Sequence, residues 1–136
     1  MELTKDRKVR QNLLRHAAHD IQLARWLLKG GFYSHASFYA FRASQESLMR
    51  YLEVKGEYAR MIFTLLNLVG HCVEYDATFL KYYDDARKLD RYSSFGDKWR
   101  NDDEYQKSEA VTESAALEVV RKAKEIHELV KSRLKT

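Results

Sequence analysis

The side chains best suited to chemistry are basic and aromatic. Lys98, Trp99 and Arg100 stand consecutively in a segment, Ser93 to Glu104, that is rich in turn-forming residues. A phosphate is gripped by a planar, multi-donor cation, and a base stacks on an aromatic face. The triplet could supply both. It could equally hold its own loop in place, with Trp99 packed on the core and Arg100 paired with Asp97 or Asp102. Arg42 lies between Phe41 and Ala43, where an unpaired charge is costly. Gln45–Glu46 or a ligand would satisfy it, and structural pairing is the favoured reading. Arg50 follows about two helical turns later, and Arg60 could face the same groove.

Other constellations carry weaker signals. His16, His19 and Asp20 are spaced to share one helix face, which can hold a divalent metal. Without a further ligand they read as solvated. His71 and Cys72 are adjacent, so a helix points them apart, and Cys72 reads as a small buried hydrophobe. His127 falls at the edge of an apolar stripe and reads as a packed histidine. The basic run Lys5, Arg7, Lys8, Arg10 and Arg15 is interrupted by Asp6 and reads as a solvated face. There is no glycine-rich phosphate loop, and Asp84–Asp85 are sequential, so they do not form a facing carboxylate pair.

The elements that must position these groups read as helices. The chain has no proline and five glycines. Leu14, Ala17, Ile21, Ala24 and Leu28 form one stripe, ended by Gly30–Gly31. A second helix runs from Tyr33 to Val54, with Ala36, Ala40, Ala43 and Ser47 as a small-residue face and Gly56 as its stop. The apolar stretch Tyr58–Val69 predicts a buried third helix stopped by Gly70. A fourth is expected from Val73 to Arg91, with Phe79, Tyr82, Tyr83, Ala86 and Leu89 inward. Thr112 is the expected N-cap of a last helix striped by Ala116, Val119, Ala123, Ile126 and Val130. The expected fold class is all-α: one domain over residues 1–136, a compact, mainly antiparallel bundle of about five helices.

Composition bounds the rest. A chain of 136 residues with 45% hydrophobic and 32% charged residues is long enough for one core and too mixed for disorder. The apolar runs are too short to cross a bilayer. The lone Cys72 excludes an intramolecular disulfide and a multi-cysteine zinc site. Together with a charged N-terminus lacking a signal-peptide apolar stretch, these features lead us to expect a cytoplasmic protein. A net charge of +4 permits acidic partners without demanding them.

Three stretches together resemble a known family. They are Asp20-Ile21-Gln22-Leu23-Ala24-Arg25-Trp26-Leu27-Leu28-Lys29-Gly30-Gly31-Phe32-Tyr33, then Phe38-Tyr39-Ala40-Phe41-Arg42-Ala43-Ser44-Gln45-Glu46-Ser47-Leu48, then Ala86-Arg87-Lys88-Leu89-Asp90-Arg91-Tyr92 with Trp99-Arg100-Asn101-Asp102-Asp103. The combination resembles the HEPN domain (higher eukaryote and prokaryote nucleotide-binding), over about residues 15–134. The resemblance implies an all-α bundle, frequently a homodimer, that works beside a minimal nucleotidyltransferase in a toxin–antitoxin-like pair. Some members are ribonucleases that use an Arg followed by four residues and a His. No Arg here has a His five positions on; only Lys122 meets His127. The resemblance is therefore to the branch lacking that motif, which leads us to expect a nucleotide- or RNA-phosphate-binding module with no catalytic residues, metal or cofactor. Its candidate contacts are Arg42, Arg60, Lys98, Trp99 and Arg100. Two rival readings stand beside it: a degenerate ribonuclease toxin using Lys122 and His127, and a ligand-free dimerisation module.

Overall fold

A computed structural model describes residues 12–57, 64–93 and 111–134 of the chain. Among these residues there are five α-helices: α1 (Leu13–Lys29), α2 (Tyr33–Val54), α3 (Leu65–Tyr75), α4 (Tyr83–Leu89) and α5 (Glu113–Leu134). Two 3₁₀ turns, Ala77–Tyr82 and Asp90–Tyr92, flank α4. The all-α bundle expected from the sequence is the fold observed.

α1 and α2 form a helical hairpin. Gly31 takes φ +85°, and its N–H bonds Leu28 O while Phe32 N–H reaches back to Leu27 O. This pair of bonds is a Schellman stop, and a left-handed residue is needed to make it. Gly30 itself stays right-handed, so Gly31 is the residue that turns the chain. The same motif closes α2, where Gly56 (φ +90°) bonds Glu53 O and Glu57 N–H bonds Leu52 O.

α2 is the central helix, packing against α1, α3 and α5. Its small residues explain why three neighbours can approach it. Ala36, Ala40 and Ala43 are fully buried, and so are Ser37, Ser44 and Ser47. Each of these serines donates its hydroxyl to the carbonyl four residues earlier, at 2.9–3.0 Å. The hydroxyls are thus satisfied within the helix, and the face stays narrow without orphaned donors. Leu48, Tyr51, Leu52, Leu65, Phe79, Leu89, Ile126 and Val130 fill the remaining core. Tyr51 and Phe79 meet at 4.7 Å between ring centroids.

Two expectations are corrected here. Gly70 does not stop the third helix: α3 begins at Leu65 and runs through Gly70 to Tyr75. Leu65, Leu68, Val69 and Cys72 form a buried stripe at helical spacing, and packing of that stripe outweighs the roughly 1 kcal/mol that a mid-helix glycine costs. Thr64 caps its start, accepting Asn67 N–H at 3.1 Å, while residues 58–63 lie outside the described residues. Nor is Val73–Arg91 one helix. Asp76 adopts an extended conformation, and its Oδ1 accepts Thr78 N–H at 2.9 Å, ending α3 and starting the 3₁₀ turn. Its Oδ2 accepts Arg133 Nε at 2.6 Å, which clips the end of α5 to this break. Phe79, Tyr82, Ala86 and Leu89 still face inward as expected, whereas Tyr83 is exposed.

Asp90 ties the broken segment back to α3. Its Oδ1 accepts Leu65 N–H at 2.8 Å and its Oδ2 accepts Leu66 N–H at 3.2 Å. A carboxylate on the first free N–H groups of a helix satisfies orphan donors and suits the helix dipole. The last helix begins as expected, with Thr112 Oγ1 accepting Ala115 N–H at 3.1 Å.

Candidate functional site

The seam between α1 and α2 holds a charged cluster inside the apolar packing. α1 contributes His16 and Asp20, four residues apart. α2 contributes Arg42 and Glu46 at the same spacing, so each pair lies on one helix face. The pairs meet crosswise. Arg42 Nε stands 3.7 Å from Asp20 Oδ2, and His16 Nδ1 stands 3.9 Å from Glu46 Oε2.

Depth separates the four. Glu46 is 2% exposed, while the side chain of Arg42 is 48% exposed at the rim. Burial pushes the Glu46 carboxyl up to about 9; the neighbouring Asp20 carboxylate adds to this and the Arg42 guanidinium opposes it. At neutral pH Glu46 is therefore a neutral acid beside Asp20. Two carboxyl groups this close do not both ionise in a dry site. Asp20 Oδ2 and Glu46 Oε1 are both shut from solvent, and the proton on Glu46 supplies the hydrogen bond between the two carboxyl groups. Arg42 faces Asp20 at ion-pair distance without a hydrogen bond, and its side chain is half-exposed.

The sequence singled out five contacts, and the structure places one. Arg42 stands at the rim of this cluster, and its partner is Asp20 across the helical hairpin. Arg60, Lys98, Trp99 and Arg100 lie outside the described residues, as do Lys5, Arg7, Lys8 and Arg10. Arg50 pairs with Glu53 one turn along α2. The His16, His19 and Asp20 set does not converge, because His16 turns to Glu46 and Asp20 to Arg42. Sequence reasoning missed Glu46 as the buried member. The available signal was the charge itself, set among Ala43, Ser44, Ser47 and Leu48 on a helix with an apolar neighbourhood.

The other reactive groups are occupied. His127 Nδ1 lies 3.2 Å from Ser47 Oγ in the α2–α5 seam. Ser47 has one hydroxyl proton and gives it to Ala43 O, so the His127 Nδ1–H must be the donor to Ser47 Oγ. Burial, and then the Lys131 charge, hold His127 below the ordinary histidine value. Lys122 faces Asp85 at 3.5 Å and Glu125 at 3.9 Å. Arg121 pairs with Glu118 at 2.5 Å and Glu125 at 3.9 Å. Burial raises the Cys72 thiol far above the range of a nucleophilic thiolate.

No helix among the described residues is long and apolar enough to cross a membrane. The chain matches no family model, no curated protein and no solved structure at a significant level.

Proposed function

We propose that this chain is a HEPN-like binding module for nucleotide or RNA phosphate, working beside a minimal nucleotidyltransferase in a toxin–antitoxin-like pair. The observation that carries this reading is Arg42: a half-exposed guanidinium whose Nε stands 3.7 Å from Asp20, in a cluster where Glu46 is neutral. The buried acid adds no second negative charge to repel a phosphate at neutral pH. Arg60, Lys98, Trp99 and Arg100 are the further contacts suggested by the sequence.

Isothermal titration with ATP, GTP and a short RNA tests the reading, on wild type, Arg42→Ala and Arg100→Ala, at low and moderate salt. Saturable binding that weakens with salt and is lost in Arg42→Ala is the expected result, because phosphate affinity is largely electrostatic. Absence of heat with every ligand, or binding indifferent to Arg42→Ala, overturns it. The degenerate-ribonuclease reading gains no support from Lys122 and His127, which are engaged by different partners. A homodimer is part of the proposal and is supported by Leu23 and Trp26, which leave apolar surface on the outer face of α1, Trp26 being 75% exposed. Light scattering on wild type and Trp26→Ser tests it, and a monomer in both removes that part.

A further inference from the structure

At the far end of α2 a second polar cluster has a different composition. Glu57, His71 and Glu74 each turn one ligand atom toward a common point, and these atoms lie within 4.8 Å of one another. His71 and Glu74 are three residues apart on α3 and so share a face. Glu57 is held against them by the Schellman stop, its own N–H bonded to Leu52 O at 2.9 Å. His71 Nδ1 is already 3.2 Å from Glu57 Oε1. Ligands bound to zinc at about 2.0–2.2 Å in a tetrahedron stand roughly 3.3–3.5 Å apart, so this edge has the right length without movement.

A second observation is independent of that spacing. Glu57 Oε2 is shut from solvent and has no hydrogen-bond partner, although the side chain as a whole is one-third exposed and its carboxylate receives the Tyr75 hydroxyl. A dehydrated, unpaired carboxylate oxygen is expensive unless a cation meets it. In the α1–α2 cluster an arginine stands 3.7 Å from the shielded Asp20 oxygen; here two carboxylates and an imidazole converge, with the Tyr75 hydroxyl on Glu57. Imidazole with carboxylates suits borderline first-row divalent ions better than calcium or magnesium, which favour all-oxygen sites. We propose that Glu57, His71 and Glu74 bind a zinc-class divalent ion, clipping α3 to the end of α2. Three protein ligands leave a fourth position for water.

The test is equilibrium titration of the full chain with Zn²⁺, and with Co²⁺ as a spectroscopic stand-in, on metal-stripped protein. Binding of one ion per chain is expected, with Co²⁺ giving the intense visible bands of a four-coordinate site. His71→Ala and Glu57→Gln should each weaken Zn²⁺ binding about 100-fold or more, while the His16→Ala/His19→Ala double variant should bind as wild type does. Circular dichroism on each variant checks the fold, and Glu74→Gln, on an exposed side chain, gives a second ligand substitution that the fold tolerates. Absence of stoichiometric binding to wild type overturns the proposal. So does binding that survives both His71→Ala and Glu74→Gln, or that is lost in the His16→Ala/His19→Ala variant.

Discussion

The two carboxylate clusters of α2 use the same chemistry to opposite ends. In the α1–α2 seam, Glu46 and Asp20 lie close together, and the cluster is balanced from within: Arg42 offsets one charge and burial keeps the other carboxyl protonated. At the α2 C-terminus, Glu57 and Glu74 are less buried and share their cluster with His71 and the Tyr75 hydroxyl. Each cluster holds carboxylate oxygens shut from solvent: Asp20 Oδ2 and Glu46 Oε1 in the first, Glu57 Oε2 in the second. The difference teaches that depth decides how a carboxylate pair is neutralised. A deep pair takes up a proton, whereas a rim pair stays available to a cation from solution.

The sharpest way to break the comparison is through packing. Leu48 is fully buried two positions beyond Glu46, and Leu48→Ala should cost about 3–5 kcal/mol in denaturant unfolding. Exposed Glu74→Gln should stay within about 0.5 kcal/mol. Similar losses at both places would mean that the rim cluster is structural.

The next effect is a pH dependence. Glu46 has a folded-state value raised from the ordinary 4.5 to about 9. Its contribution is therefore fully present below about 4.5 and is lost as pH rises toward 9. Thermal melts should show wild type losing stability relative to Glu46→Gln across that window, and parallel curves would show that Glu46 is charged in the fold. A smaller effect is expected at the seam of α2 and α5. Ser47→Ala removes the acceptor of the His127 N–H and should cost about 1 kcal/mol, read by chemical denaturation. The smallest belongs to Arg42→Gln, whose half-exposed pair should contribute less than about 1 kcal/mol at pH 7. The same substitution removes the charge that opposes protonation of Glu46. It should therefore move the pH window upward, and a downward shift would contradict the arrangement.

Much of the helical framework is readable from residue order, because α1, α2 and α5 are long amphipathic stretches with glycine or threonine at their ends. Tyr33–Val54 matches the observed α2 at both ends. The middle of the chain is less legible. Gly70 looks like a stop until the stripe from Leu65 to Cys72 is seen to be buried on both sides of it. The break at Asp76 is made locally by its bond to Thr78 N–H, but the Arg133 contact that fastens it to α5 comes from 57 residues away, and no local pattern announces such a partner. The site follows the same rule. Arg42 reads as a charge in need of a partner, but Asp20 and Glu46 become that environment only when the hairpin closes. Glu57, His71 and Glu74 converge only when the Gly56 turn sets Glu57 beside α3.

Asp90 has a consequence for how the molecule comes apart. The cap on α3 is supplied from beyond α4, so the first amides of α3 are protected only while the Asp90–Tyr92 turn is in place. An isolated α3 of eleven residues is too short to persist in water. α3, the 3₁₀ turn, α4 and Asp90 should thus open and close as one cooperative unit. In hydrogen exchange, Asp90→Ala should speed exchange across the whole of that unit together, leaving the slow amides of the α1–α2 hairpin as they were.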